Sequence, residues 1–139
     1  MTMSVLLHAS VFLALILGGP PSPSLLQIEV EGLRSNNGSV RIAIFDSEDT
    51  FLGDAHTASI RPIVGRKSVW AVALPPGDYA IAVHHDEDGD GEMATGLFGL
   101  PSEPVGFSQG ARITFGPPKW RRAAFALPAE GATVTIRVR

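Results

Sequence analysis

Apolar, β-branched and aromatic residues in this chain come in short runs. They are separated by Gly, Pro, Asn and Asp at intervals of about 8 to 12 residues, the spacing of a β-sandwich or barrel. An amphipathic helix would need an apolar stripe repeating every three or four residues, and none survives past residue 24. Gln27 to Val30 alternates polar and apolar, and "RSNNGSVRIAIFD" places Asn37-Gly38 ahead of Val40, Ile42 and Ile44. Asn-Gly is a strong hairpin signal because both residues tolerate positive φ, so residues 26–33 and 39–46 are expected to pair antiparallel. Asn37-Gly38-Ser39 also spells a glycosylation acceptor, but the turn accounts for it without modification.

Residues 47–57 read as a long loop in which Phe51 and Leu52 tuck under the sheet. Strands are expected over 58–64 and 68–74, the second with Trp70, Val72 and Leu74 on one face. Pro75-Pro76-Gly77-Asp78 then forces a turn, and Tyr79, Ile81 and Val83 open the next strand. "TVTIRV" closes the chain with Val134, Ile136 and Val138 on one side. Residues 93–122, with Phe98, Phe107, Phe115 and Trp120 among prolines and glycines, form the least regular region, and such a segment in a compact domain is functional or well packed. The predicted fold is an all-β antiparallel sandwich of seven or eight strands, Ig-like or transthyretin-like. The 84–93 loop and the 98–118 segment should lie together at one end.

Val5 to Leu17 is almost wholly apolar, and no Asp, Glu, Lys or Arg precedes Glu29. That run is short of the roughly 20 residues a membrane-spanning helix needs but suits a secretory signal peptide, with Ser22 and Ser24 flanking the best cleavage point. An uncleaved N-terminal anchor is the alternative. Residues 1–24 are therefore read as a targeting segment and 25–139 as one domain, secreted or periplasmic, whose mature part does not insert in a membrane. The absence of cysteine excludes disulfides, thiolate metal sites and thiol catalysis. A net charge of −3 argues against nucleic acid as a partner.

"HHDEDGDGEM", His84 to Met93, crowds five carboxylates into one turn. Asp86, Asp88 and Asp90 alternate ahead of Gly91, matching the first six positions of the calcium loop D-x-[DN]-x-[DN]-G. Alternate side chains converge when a chain curls round a hard cation, and the glycine turns the next carbonyl, that of Glu92, onto it. The pattern then stops, with Ala94 and Leu97 where further ligands would stand, and a strand instead of a helix before it. Asp86, Asp88, Asp90 and Glu92 are thus a half-loop for a low-affinity structural calcium ion, its remaining ligands drawn from Glu103, Asp46, Glu48 or Asp49. The bland reading is a solvated acidic turn, opposed by repulsion of about 1 kcal/mol per like-charged pair at ~4 Å in water.

Other constellations carry less. "GFSQG" has the nucleophile-elbow pattern around Ser108, but no histidine follows His85, so it reads as a serine loop. Adjacent strand residues face opposite ways, so His84 and His85 cannot easily share a metal. His84 with Asp86, joined by His56, would be the core of a small metal-dependent hydrolase. The plainer expectation is His85 capping the core and His84 solvated. "KWRR", Lys119 to Arg122, offers a sugar- or envelope-binding reading through Trp120, against a solvated basic edge.

The ordered motifs "VEGL" (30–33), "GSVRIAIFDSED" (38–49), "LPPGDYAIAVHHDEDGDGE" (74–92), "GLP" (99–101), "GFS" (106–108), "FGPP" (115–118) and "AAF" (123–125) resemble the bacterial DUF2141 family. The resemblance covers nearly all the chain after the targeting segment and implies a secreted or periplasmic β-sandwich. It singles out Asp86, Asp88, Asp90 and the GFS and FGPP loops without implying a reaction. "LPPGDYAI" also resembles transthyretin-like and carboxypeptidase-regulatory-like domains. Family members often carry an acidic residue near the end of the acidic loop, where this chain has Ala94. The expectation is an exported, non-catalytic binding or structural module, its partner an unidentified ligand or cell-envelope component.

Overall fold

A computed structural model describes residues 18–96 and 100–139. Eight strands form: β1 (Ser24–Glu31), β2 (Ser39–Phe45), β3 (Thr57–Arg61), β4 (Ser68–Leu74), β5 (Gly77–Asp86), β6 (Val105–Phe107), β7 (Phe125–Leu127) and β8 (Ala132–Arg137), of which β5 is buried on both faces along most of its length. One helical turn, α1 (Trp120–Ala123), precedes β7. A three-stranded sheet runs β4-β1-β8, antiparallel at β1–β4 and parallel at β1–β8. The other sheet runs β3-β2-β5, with β6 and β7 sharing the far edge of β5. The expected two-sheet, mostly antiparallel β architecture is therefore present.

Alternation decides which side chains meet between the sheets. Leu26, Ile28 and Val30 of β1 face Val40, Ile42 and Ile44 of β2 and Tyr79, Ile81 and Val83 of β5, with Ile136 and Val138 closing the layer. Each such side chain, fully removed from water, contributes about 1.5–3 kcal/mol. His85 points into this layer and is fully buried, as expected, its Nε2 donating to the Asn37 carbonyl (2.9 Å). The Tyr79 hydroxyl donates to the Pro75 carbonyl (2.9 Å) and holds the turn into β5.

The predicted hairpin between 26–33 and 39–46 does not form, because β1 and β2 belong to different sheets. Half-buried alternation suits any partner that buries the same face, so it does not encode which strand pairs with which. Gly38 has a positive φ of 70°, yet it serves a close approach: a Cβ there would lie 1.8 Å from the Asp86 carbonyl oxygen.

Part of the outer face of the five-stranded sheet is covered as well. Ala80, Phe107 and Ala123 form a second apolar cluster, against which Phe51, Ile113 and Trp120 pack. Phe51 meets Phe45 and Trp120 edge-on at 5.4 and 5.8 Å, while Leu52 stays exposed at φ 63°. Among the described residues no helix is long and apolar enough to cross a membrane. Residues 1–17, which carry most of the expected targeting segment, and Phe98 of the aromatic loop lie outside the described residues. The first strand begins at Ser24, whose buried hydroxyl donates to the Pro128 carbonyl (2.5 Å).

Candidate metal centre

Strand β5 delivers the acidic loop, and its pairing with β2 supplies the counter-charge. Arg41 sits opposite His84 and Ser39 opposite Asp86, so Arg41, His84 and Asp86 share the outer face of the sheet. Asp86 is fully buried, and its Oδ2 accepts from Arg41 Nε at 2.8 Å. The loop then folds back over this carboxylate. Gly89 and Gly91, at φ 73° and 83°, aim their amides at Asp86 Oδ1 (2.8 Å) and Oδ2 (3.0 Å). Asp88 and Asp90 each accept from the amide two residues on (3.1 and 2.7 Å), which bends the loop tip as successive Asx turns.

Glu103 completes the cluster from across the irregular segment. Its Oε2 accepts from His84 Nε2 (2.6 Å) and the Ala94 amide (3.2 Å), and its Oε1 from the Glu87 amide (2.8 Å). One carboxylate thereby ties both ends of the loop to the sheet. Carboxylate oxygens of Asp86, Asp88 and Glu103 all lie within 4.8 Å of one another.

Electrostatics divides the three. The hydrogen bond from Arg41, opposed by burial and helped by the Gly91 and Gly89 amides, holds the Asp86 carboxyl below its ordinary range. Burial pushes the Glu103 carboxyl up, but the His84 hydrogen bond and the Ala94 and Glu87 amides outweigh it and leave it lowered. For Asp88 the Asp90 amide favours the carboxylate, yet desolvation and repulsion from Asp90 and Glu103 win, and its carboxyl is raised. Asp88 is thus the carboxylate left without enough positive charge.

This donor set fits a hard cation. It is all oxygen, with no thiolate, and among the described residues no histidine joins the group. Asp86 and Glu103 each accept three protein hydrogen bonds, leaving each about one of roughly four lone-pair positions for an ion. Asp88 is exposed and freer. An ion of six to eight ligands would therefore complete its shell with carbonyls and water and bind weakly.

Of the residues singled out from the sequence, Asp86 and Asp88 enter the cluster, while Asp90 and Glu92 lie outside it. The positive φ of Gly89 and Gly91 closes the loop on Asp86 before a third alternate carboxylate can turn inward. Glu103 joins, whereas Asp46 pairs with His56 Nδ1 (2.9 Å) elsewhere. His84 is buried rather than solvated, because the segment carrying Glu103 covers that face. It bonds Glu103 while Asp86 bonds Arg41, so the two do not form the pair that acid–base chemistry would use.

Ser108 of the GFS loop is fully buried and staples three elements. Its hydroxyl donates to the Ala123 carbonyl (2.6 Å) and accepts from the Ile81 amide (2.9 Å). Gly106 lets β6 approach β8, since a Cβ there would lie 2.7 Å from the Arg137 carbonyl oxygen. Trp120 is half-buried on Phe51 and offers no open platform. The sequence signal missed at these positions was glycine before an aromatic residue and a serine, which marks close packing as readily as a nucleophile.

Comparison with known families matches residues 28–136 to the family described as "Uncharacterized protein conserved in bacteria (DUF2141)". No curated protein and no solved structure matches the chain.

Proposed function

The chain belongs to the DUF2141 family, and on that premise we propose that it is an exported, non-catalytic binding module whose acidic loop is fixed by a calcium ion held between Asp86, Asp88 and Glu103. The observation that carries this reading is the arrival of Glu103 from a separate segment beside two loop carboxylates, with all three inside 4.8 Å. Carboxylates gathered from distant parts of a chain repel unless something positive joins them; Arg41 pairs with Asp86 and His84 with Glu103, and among the described residues no cation pairs with Asp88. Oxygen-only ligation favours calcium or magnesium. Three carboxylates converging from separate segments, and the open, irregular side at Asp88, suit the larger ion with its adaptable geometry, since magnesium is usually held by one or two carboxylates in a near-ideal octahedron.

The ion's part would be structural. It would lock the loop between β5 and β6 and thereby shape the surface beside it. A non-catalytic role is supported by the engagement of the candidate acid–base groups, since His84, Asp86 and Ser108 each spend their hydrogen bonds on the protein itself. Export is supported by the apolar run Val5 to Leu17.

Thermal unfolding in about 10 mM calcium against chelator tests the site. With a dissociation constant near ~10⁻⁴ M, calcium stabilises by about 2.7 kcal/mol, a rise of roughly 10 °C for a domain of this size. The rise should vanish in Asp88→Ala. Equal midpoints with and without calcium in the wild type would reduce the loop to an acidic turn.

A further inference from the structure

Two grooves adjoin on the side of the domain away from the three-stranded sheet, and they differ in chemistry. The first, of about 840 Å³, is floored by Ala43, Ala58 and Ala82 on the outer face of the five-stranded sheet. Apolar side chains including Met93, Phe107 and Ile113 wall it. The second, of about 1090 Å³, is lined by Arg112, Lys119, Arg121 and Arg122 together with Gln109 and Thr114. Phe115, Gly116 and Pro117 line both, so the grooves share a wall.

Charge and exposure give this pairing direction. Four of the chain's 11 basic residues line the second groove although the chain as a whole carries −3. No Asp or Glu lines either groove, and among the described residues none of those four cations forms an ion pair. Between them stands Phe115, its ring fully exposed to water. An apolar ring held in water beside unpaired cations costs free energy that a ligand with both an apolar and an anionic part would recover. Arginine forks match phosphate oxygens in pairs, and Thr114 and Gln109 add neutral donors for a multiply charged head. Volumes of this order suit a small organic ligand.

We propose that the joined grooves seat one molecule of a phosphate-headed amphiphile, with its hydrocarbon chain along the alanine-floored groove and its headgroup among Arg112, Lys119, Arg121 and Arg122. This goes beyond the calcium reading: no carboxylate of the acidic cluster lines either groove, although Arg41, His84 and Met93, which border that cluster, line the first.

The test is calorimetric titration of the full protein in chelator with monomeric dodecyl phosphate, below its micellar concentration. We expect saturable one-to-one binding that weakens about fourfold for each methylene removed down to octyl phosphate, the factor for burying one such group. Binding should be lost in the double variant Arg121→Glu with Arg122→Glu and weakened in Phe115→Ser. All three positions are exposed, and an unchanged melting curve would establish that the variants fold. Inorganic phosphate binding as tightly as dodecyl phosphate would overturn the proposal in favour of an anion seat alone. Equal affinity for dodecyltrimethylammonium, or undiminished binding by the double variant, would overturn it as detergent adsorption. Attachment to phosphatidylglycerol vesicles without uptake of the monomer would overturn it in favour of a membrane-surface contact.

Discussion

Asp88 is the residue on which the acidic loop turns. Against the Asp90 amide, desolvation and then the neighbouring carboxylates raise its pKa, whereas Asp86 and Glu103 are lowered, so the three contribute to stability with opposite signs. A lowered carboxyl stabilises fully above its unfolded value, about 3.9 for Asp and 4.3 for Glu, and that contribution is lost as pH falls through the folded value. A raised one does the reverse: the Asp88 carboxylate destabilises at neutral pH and is relieved as pH falls through its folded value. In chelator the melting temperature should therefore hold from neutrality to about pH 5 and fall below about pH 4. Asp88→Asn should melt higher than wild type in chelator at pH 7 and lose the calcium response. A variant that kept the response would remove Asp88 from the site. The sequence made Asp86 and Asp88 visible through their alternation, but Glu103 is a lone acid between Ser102 and Pro104. The sequence names it only as one of four spare acids, and its amide and His84 contacts, made through the fold, single it out.

Among the elements, the long strands were legible and their partners were not. β4, β5 and β8 lie close to where period-two alternation put them, with Trp70, Val72 and Leu74 sharing a face and Tyr79, Ile81 and Val83 in the core. β6 and β7 are three residues each, too short for any period, and are placed by contacts from remote chain such as the Ser108 staple. The hairpin expectation failed at Gly38, where the Asn-Gly signal marked backbone contact with β5 rather than a two-residue turn. That contact can be measured. Gly38→Ala should cost more than about 2 kcal/mol, lowering the melting temperature by roughly 5–10 °C, because left-handed strain adds to displacement of the Asp86 backbone. Gly65→Ala carries similar strain at φ 60° with nothing within 4 Å, so it should cost about 1 kcal/mol. Equal losses at the two sites would show that the close approach is absent in solution.

On the scale of the whole molecule, the first and last strands lie side by side. β1 is the centre of its sheet and pairs along its length with β8, from Leu26 beside Ala132 to Glu31 beside Arg137. Removing residues 132–139 would strip Ile136 and Val138 from the core, about 1.5–3 kcal/mol each, and open the edge of β1. Against a total stability of about 5–15 kcal/mol for a domain, that loss together with the unpaired edge of β1 should lower and broaden the melt steeply. A sharp melt would place the stability in the five-stranded sheet alone. The parallel pairing also orders events in time. Contacts between the two ends of a chain have the greatest sequence separation it offers, so they form late and slow folding. A ribosome that has finished all but the last strand holds a polypeptide whose central strand still lacks one neighbour. β1 would thus gain its full set of hydrogen-bonding neighbours only once residues 132–137 have been made.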